Sequence, residues 1–140
     1  MKILIAVLLI VHGFIVAAQS SGSFNPTEGV KNPSWLTWWP VNLGQSWVLS
    51  PLGIEQTLIA RAGGLLWLMA GIALAVAGLG VLGILVPPGW WRTLALAGAI
   101  ISLIMLAFYL HPFYGIGVGA SIFLLIVLLW GQSPILGQLG

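Results

Sequence analysis

Apolar residues fall into four runs along this chain, residues 3–18, 64–86, 93–110 and 115–130, separated by one long polar stretch and two short turns. A bilayer core about 30 Å thick takes about 20 helical residues, so the second run spans comfortably and the third almost straight across. The first and fourth are shorter. Flanking residues extend them: a snorkelling Lys2 with Gln19 and Ser20 for the first, and Phe113, Tyr114 and Gly131 for the fourth. The pattern predicts an all-α membrane protein, an antiparallel four-helix transmembrane bundle with a long Trp-rich loop between helices 1 and 2, forming a single domain over residues 1–140.

The connections carry the topology. Pro87 to Arg92 and His111 to Tyr114 are too short to join anything but antiparallel neighbours. Proline lacks a backbone donor and clashes with the preceding turn, so helices are expected to stop near Val86 and Leu110. The outer loop, 19–63, holds Pro26, Pro33, Pro40 and Pro51 and few charges. Within it Ser34 is placed to cap a short turn whose Trp35, Trp38 and Trp39 share a face at i, i+3 and i+4. Ser50-Pro51 reads as an N-cap and first helical residue, opening a helix to about Ala62, with Gly63-Gly64 offering a break before the second span.

Composition sharpens this picture. The 140 residues are 60% hydrophobic and only 4% charged, against roughly 25% charged in a soluble domain. The charged side chains are Lys2, Glu28, Lys31, Glu55, Arg61 and Arg92, and none lies inside an apolar run, as the cost of charge in lipid demands. A net charge of +2 makes no basic patch, which removes nucleic acid as a partner. The absence of cysteine removes disulfides, thiolate nucleophiles and Cys-based metal sites. Lys2 and Arg92 fall on one side and Lys31 and Arg61 on the other, a tie that the free amino terminus tips toward cytoplasmic termini. Trp90, Trp91 and Trp130 would then form an inner aromatic belt, and Trp67, Tyr109 and Tyr114 an outer one. The opening Met-Lys, apolar run and Val16-Ala17-Ala18 also have the form of a signal peptide, but His12 and Gly13 interrupt the run and favour a retained helix.

Helices in lipid associate through close backbone approach, so small residues mark their interfaces. Ala70, Ala73, Ala77 and Gly80 form a 3-4-3 seam on the second span, flanked by a strip of Gly71, Ala75 and Gly78. Gly13 with Ala17 closes the first span, Ala95, Ala99 and Ser102 line the third, and Gly115 with Gly119 opens the fourth. These seams are expected to hold the chain's own bundle together rather than an oligomer.

Candidate chemistry is sparse. His12 lies well inside a span, where an ionisable side chain is a functional hypothesis by default. It would bond a quinone carbonyl, ligate a haem or chlorophyll-type pigment, or simply hydrogen-bond a neighbouring helix. His111 ends the third span at a different depth, so paired histidine ligands to one haem are not expected. No carboxylate lies within a span, and no metal site is expected. Glu28, Glu55, Arg61 and the histidines show no spacing that joins them for catalysis, and the serines lack a nucleophile-elbow context. No intramembrane acid suggests a pump or channel.

The stretches Met1 to Gly13, Arg61 to Ala70 with Trp67, and Trp90-Trp91-Arg92 followed by Ser102 resemble small bacterial four-span proteins of the DoxX-like type. The resemblance implies a four-helix bundle with an inner amino terminus and, in some members, association with quinone-linked or redox membrane complexes. It transfers no catalytic residue, and Val16-Ala17-Ala18 stands where many such proteins carry a second histidine, a departure that weighs against a two-histidine role.

These readings predict a non-catalytic protein of a bacterial inner membrane, an accessory or structural subunit among other membrane subunits and lipid. Trp35, Trp38 and Trp39 are expected either to anchor the loop flat on the membrane or to form the contact with a partner or lipid, because tryptophan is enriched both at membrane interfaces and at binding hot spots. The alternative is a carrier for a quinone, isoprenoid, carotenoid or pigment, with His12 as its polar contact and the Trp-rich loop as a lid.

Overall fold

The computed structural model describes residues 2–23, 31–87 and 89–129. Glu28 and Trp130, the inner belt's third member, lie outside them. The described chain is all-helical: α1 (Lys2–Ala18), α2 (Gln56–Val81), α3 (Trp90–Phe108) and α4 (Gly115–Leu129), with short 3₁₀ turns at Gln19–Ser23, Ser34–Leu36, Ser50–Leu52 and Pro112–Tyr114. Four helices are long and apolar enough to cross a membrane.

The helices meet in chain order, α1 on α2, α2 on α3 and α3 on α4. Residue numbers run in opposite senses across each pair: Ala6 and Ile10 lie at Gly78 while Gly13 and Ala17 lie at Gly71. Across α2 and α3, Trp91 lies at Gly80, Gly98 at Leu74 and Tyr109 at Gly63. One end of the molecule therefore gathers the start of α1, the α2–α3 turn and the end of α4, where the Arg92 guanidinium donates to the Leu128 carbonyl. That cation meets the negative end of the α4 dipole and an otherwise orphaned carbonyl.

Close approach is concentrated on α2, which presents two strips. Gly71, Ala75 and Gly78 receive α1: a methyl group at Gly71 would sit 2.6 Å from the Gly13 carbonyl oxygen, and one at Gly13 would sit 2.7 Å from the Ala75 nitrogen. Ala70, Leu74 and Gly80 receive α3, with the fully buried Ala77 beside them and Ala73 half-buried. The strip that looked secondary in the sequence thus holds the closest approach of one helix backbone to another. Gly115 and Gly119 differ, because nothing lies within 4 Å of where their side chains would be. They contribute nothing to packing among the described residues, which corrects their assignment to this chain's own bundle.

Helix α2 departs from expectation at both ends. No break occurs at Gly63-Gly64; the helix runs through them, and Gly63 instead makes room for Tyr109, whose hydroxyl donates to the Ile59 carbonyl. Unpaired backbone in lipid is costly, so a bare glycine pair is a better contact surface than a stop. The helix expected from Ser50 is only a 3₁₀ turn, ended by Gly53 at φ 74°; its N-cap is Leu49, and the buried Ser50 hydroxyl caps nothing. At its other end α2 stops at Val81, before the prolines. Gly83, at φ 76°, adopts the left-handed conformation, its N–H bonds the Gly80 carbonyl and the Ile84 N–H bonds that of Leu79. This Schellman closure satisfies the last carbonyls and needs no proline.

The outer aromatic belt is also corrected. Trp67, Tyr109 and Tyr114 are buried in the core, with Trp67 and Tyr114 packed ring to ring at 5.9 Å. Trp91 is buried too, leaving Trp90 exposed at the opposite end.

Candidate functional site

Two polar constellations stand out in this apolar molecule. The first is inside the helices. His12 on α1 reaches across to α4, where its Nε2 lies 3.2 Å from the Ser121 Oγ, and Ser121 in turn lies 3.4 Å from the Ser102 Oγ of α3. Ser102 and Ser121 are buried and His12 is half-buried. Hydroxyls tolerate such surroundings only when paired, and the three side chains supply one another's partners. The rung joins three helices at one depth. The outcome for His12 is thus the neighbouring-helix bond for Nε2, and any ligation by this ring falls to Nδ1.

The second constellation is the Trp-rich loop. A helix ends with four carbonyls lacking intrahelical donors, and α3 ends beneath this loop. Trp47 Nε1 donates to the Ala107 carbonyl at 2.7 Å, Ser46 Oγ to the Phe108 carbonyl at 2.7 Å, and Trp39 Nε1 to the Leu110 carbonyl at 3.2 Å. The Tyr109 N–H takes the Met105 carbonyl. Ser46, fully buried, also accepts from the Leu49 N–H, so both its lone pair and its proton are used. The loop is a side-chain cap for α3.

His111 locks this cap. Its Nδ1 accepts from the Phe113 N–H at 3.3 Å and its Nε2 faces the Asn32 Oδ1 at 2.9 Å. The Asn32 amide nitrogen donates to the Val41 carbonyl, which turns the amide oxygen toward His111 and makes Nε2 the protonated nitrogen. The imidazole stacks on Phe113 at 5.3 Å and meets Trp39 and Tyr114 edge-on. His111 is therefore a neutral structural strut with both nitrogens occupied, and it lies beyond the end of α3 at Phe108, itself about 9 Å from the depth of Ser102 at the helical rise. The two histidines belong to separate sites.

Burial holds the His111 imidazole below its ordinary value near 6.5. A folded value depressed in this way stabilises docking of the loop above about pH 6.5 and loses that contribution as pH falls through the folded value. Protonation would also place a hydrogen on Nδ1, against the Phe113 N–H. Lowering the pH from 7.5 to 5 is expected to loosen residues 31–52, read as faster amide exchange there than in α2; a His111→Phe variant should lose the pH dependence.

The three sequence-predicted tryptophans do not act alike. Only Ser34–Leu36 forms a 3₁₀ turn, with Pro33 as its N-cap and no capping bond from a side chain. Leu36, not a tryptophan, is the buried residue of that turn. Trp39 points inward to the Leu110 carbonyl, whereas Trp35 and Trp38 are 62% and 69% exposed, Trp35 resting edge-on against Phe113 at 5.7 Å. The sequence reading missed Asn32, Ser46, Trp47 and Ser121. Ser121 had a signal: His12, Ser102 and Ser121 are the interior polar residues of their spans and lie at similar distances from the same bundle end. No protein-family model matches the chain, and neither a curated protein nor a solved structure matches it.

Proposed function

We propose that this chain is a non-catalytic integral protein of a bacterial inner membrane, an antiparallel four-helix bundle that serves as an accessory subunit of a larger membrane complex. The length and apolarity of the four helices support the membrane setting, and the opposed residue order across each helix pair supports the antiparallel arrangement. The DoxX-like resemblance implies the same architecture. The subunit reading is carried by one observation: at Gly13, Gly63, Gly71, Gly78, Gly80 and Gly98 on α1, α2 and α3 the side-chain position is filled by a neighbour, whereas at Gly115, Gly117 and Gly119 on α4 it stands open. Ile116, between them, is 90% exposed. In lipid such a strip is suited to a second helix at close range. Trp35 and Trp38 offer a further contact at the same end, with Trp39 holding the loop beneath them.

The test is purification in mild detergent followed by size-exclusion chromatography with light scattering and mass spectrometry. The wild-type chain should elute with a fixed set of larger membrane chains, and Gly119→Leu should release it as a folded monomer. A wild-type monomer, or an unchanged assembly for Gly119→Leu, would overturn the reading. Both termini are cytoplasmic in this proposal, which single cysteines placed at positions 52 and 90 of this cysteine-free chain would report by labelling from opposite sides.

A further inference from the structure

The two histidines differ in one respect that points to a ligand. His111 spends both ring nitrogens on protein partners, whereas His12 spends only Nε2, on Ser121. No described residue hydrogen-bonds the His12 Nδ1, and that atom is not enclosed. On α1 its neighbours Leu8, Val11 and Ile15 are all exposed, so the surface around it is hydrocarbon-like. His12 lies about 15 Å along the helix axis from Lys2, which is the middle of a bilayer core about 30 Å thick. Water does not reach that depth to satisfy a polar atom, and acyl chains cannot. Either tautomer leaves a need: an Nδ1 proton calls for a carbonyl oxygen, and an Nδ1 lone pair calls for a hydroxyl.

We propose that the His12 Nδ1 is the polar contact of a binding site for a membrane-dissolved lipophile carrying a carbonyl or hydroxyl oxygen, entering from the lipid along the exposed face of α1. Ser121, backed by Ser102, is the positioning group. It holds the ring by Nε2 and fixes the plane in which Nδ1 is presented, so the site is set before the ligand arrives. The apolar body of the ligand lies against Leu8, Val11 and Ile15, and its oxygen completes the rung that runs from α3 through α4 to α1. The Trp-rich loop takes no part, since it is bound to the far end of α3.

The chain's having only two histidines makes the test direct. Full-length protein labelled with ¹⁵N-histidine is placed in lipid nanodiscs and titrated with a decyl-chain aryl ketone, a decyl-chain phenol and, as a control without oxygen, decylbenzene. The expected result is a saturable shift of the His12 Nδ1 resonance with the ketone or the phenol, none with decylbenzene, and an unmoved His111 as an internal check of folding. Which of the two oxygen probes works reports the tautomer. His12→Phe should lower probe affinity at least tenfold, followed by probe quenching of tryptophan fluorescence, with the His111 resonances unchanged. Ser121→Ala keeps the ligand atom but frees the ring, and should weaken binding by a smaller factor. Equal response to decylbenzene, no shift of His12, or equal shifts of both histidines would overturn the proposal. So would a His12 resonance already shifted in the native complex and indifferent to the probes, which would give Nδ1 to a partner helix. Assembly of the complex is read separately by Gly119→Leu, so failure of either proposal leaves the other standing.

Discussion

Gly71→Leu should separate α1 from α2 and leave most of the protein unable to hold its tertiary structure in detergent. At Gly71 even the first added carbon would lie 2.6 Å from the Ala17 nitrogen and the Gly13 carbonyl oxygen. Those are backbone atoms of a helix, so no rotamer change relieves the clash and α1 as a whole must move outward. Overpacking of a yielding core costs about 1–3 kcal/mol; here the neighbour cannot yield, and a loss of about 3 kcal/mol or more is expected. The displacement would also strip Ala6, Leu9 and Val16 of their buried positions. Unfolding on titration with sodium dodecyl sulfate, followed by near-ultraviolet circular dichroism, measures the effect. In the isolated chain Gly119→Leu is the matched control, since there the same side chain enters open space and should change stability by no more than about 0.5 kcal/mol. Similar losses for both would refute the assignment of the α2 strip to α1 and of the α4 strip to open surface.

Ser46→Ala is expected to have the next largest effect, although it removes a single oxygen atom. The buried hydroxyl serves the Phe108 carbonyl at the end of α3 and the Leu49 N–H of the loop, and alanine leaves both without a partner. An unsatisfied buried polar group costs about 1–3 kcal/mol, which sets the expected loss at about 2 kcal/mol. The signature should be local. Amide exchange should quicken through residues 42–52 while the α1–α2 interface stays protected. Ser50→Ala provides the contrast, because the Ser50 hydroxyl is buried with no hydrogen-bond partner among the described residues and its removal should be neutral or stabilising. A Ser46→Ala protein with unaltered loop exchange would show that the cap at α3 is held by Trp39 and Trp47 alone.

The helices were legible in the chain because the requirement for apolar, self-satisfied backbone in lipid is written into every residue of a span. Their ends were less so. Pro87 is a conspicuous stop, yet Gly83 closes α2 first, because a left-handed glycine at C′ satisfies the final carbonyls that proline merely declines to extend. Gly63-Gly64 illustrates an ambiguity of another kind: glycine signals a break in water and an interface in lipid, and only the position of Tyr109 across the gap decides between them. The division of labour among the tryptophans was hidden for a related reason. Whether an indole N–H points to solvent or to a carbonyl depends on what lies beneath it, and the end of α3 is some 70 residues away in sequence from Trp39. His12 was legible as a polar residue at depth, but its partner became visible only when three spans were aligned.

One consequence follows from the length of α2. Its 26 residues extend about 39 Å, more than a bilayer core about 30 Å thick can cover. The charge on Arg61 is costly in lipid and assigns that excess to the first two turns, from Gln56 to Ala62, as a post above the hydrocarbon, and Tyr109 ties the end of α3 to it through the Ile59 carbonyl. Trp35 and Trp38 ride on the loop fastened to α3, so their elevation is surveyed from the protein and not from the lipid. A thicker or thinner bilayer would rise or sink past those rings as water does past marks on a pier.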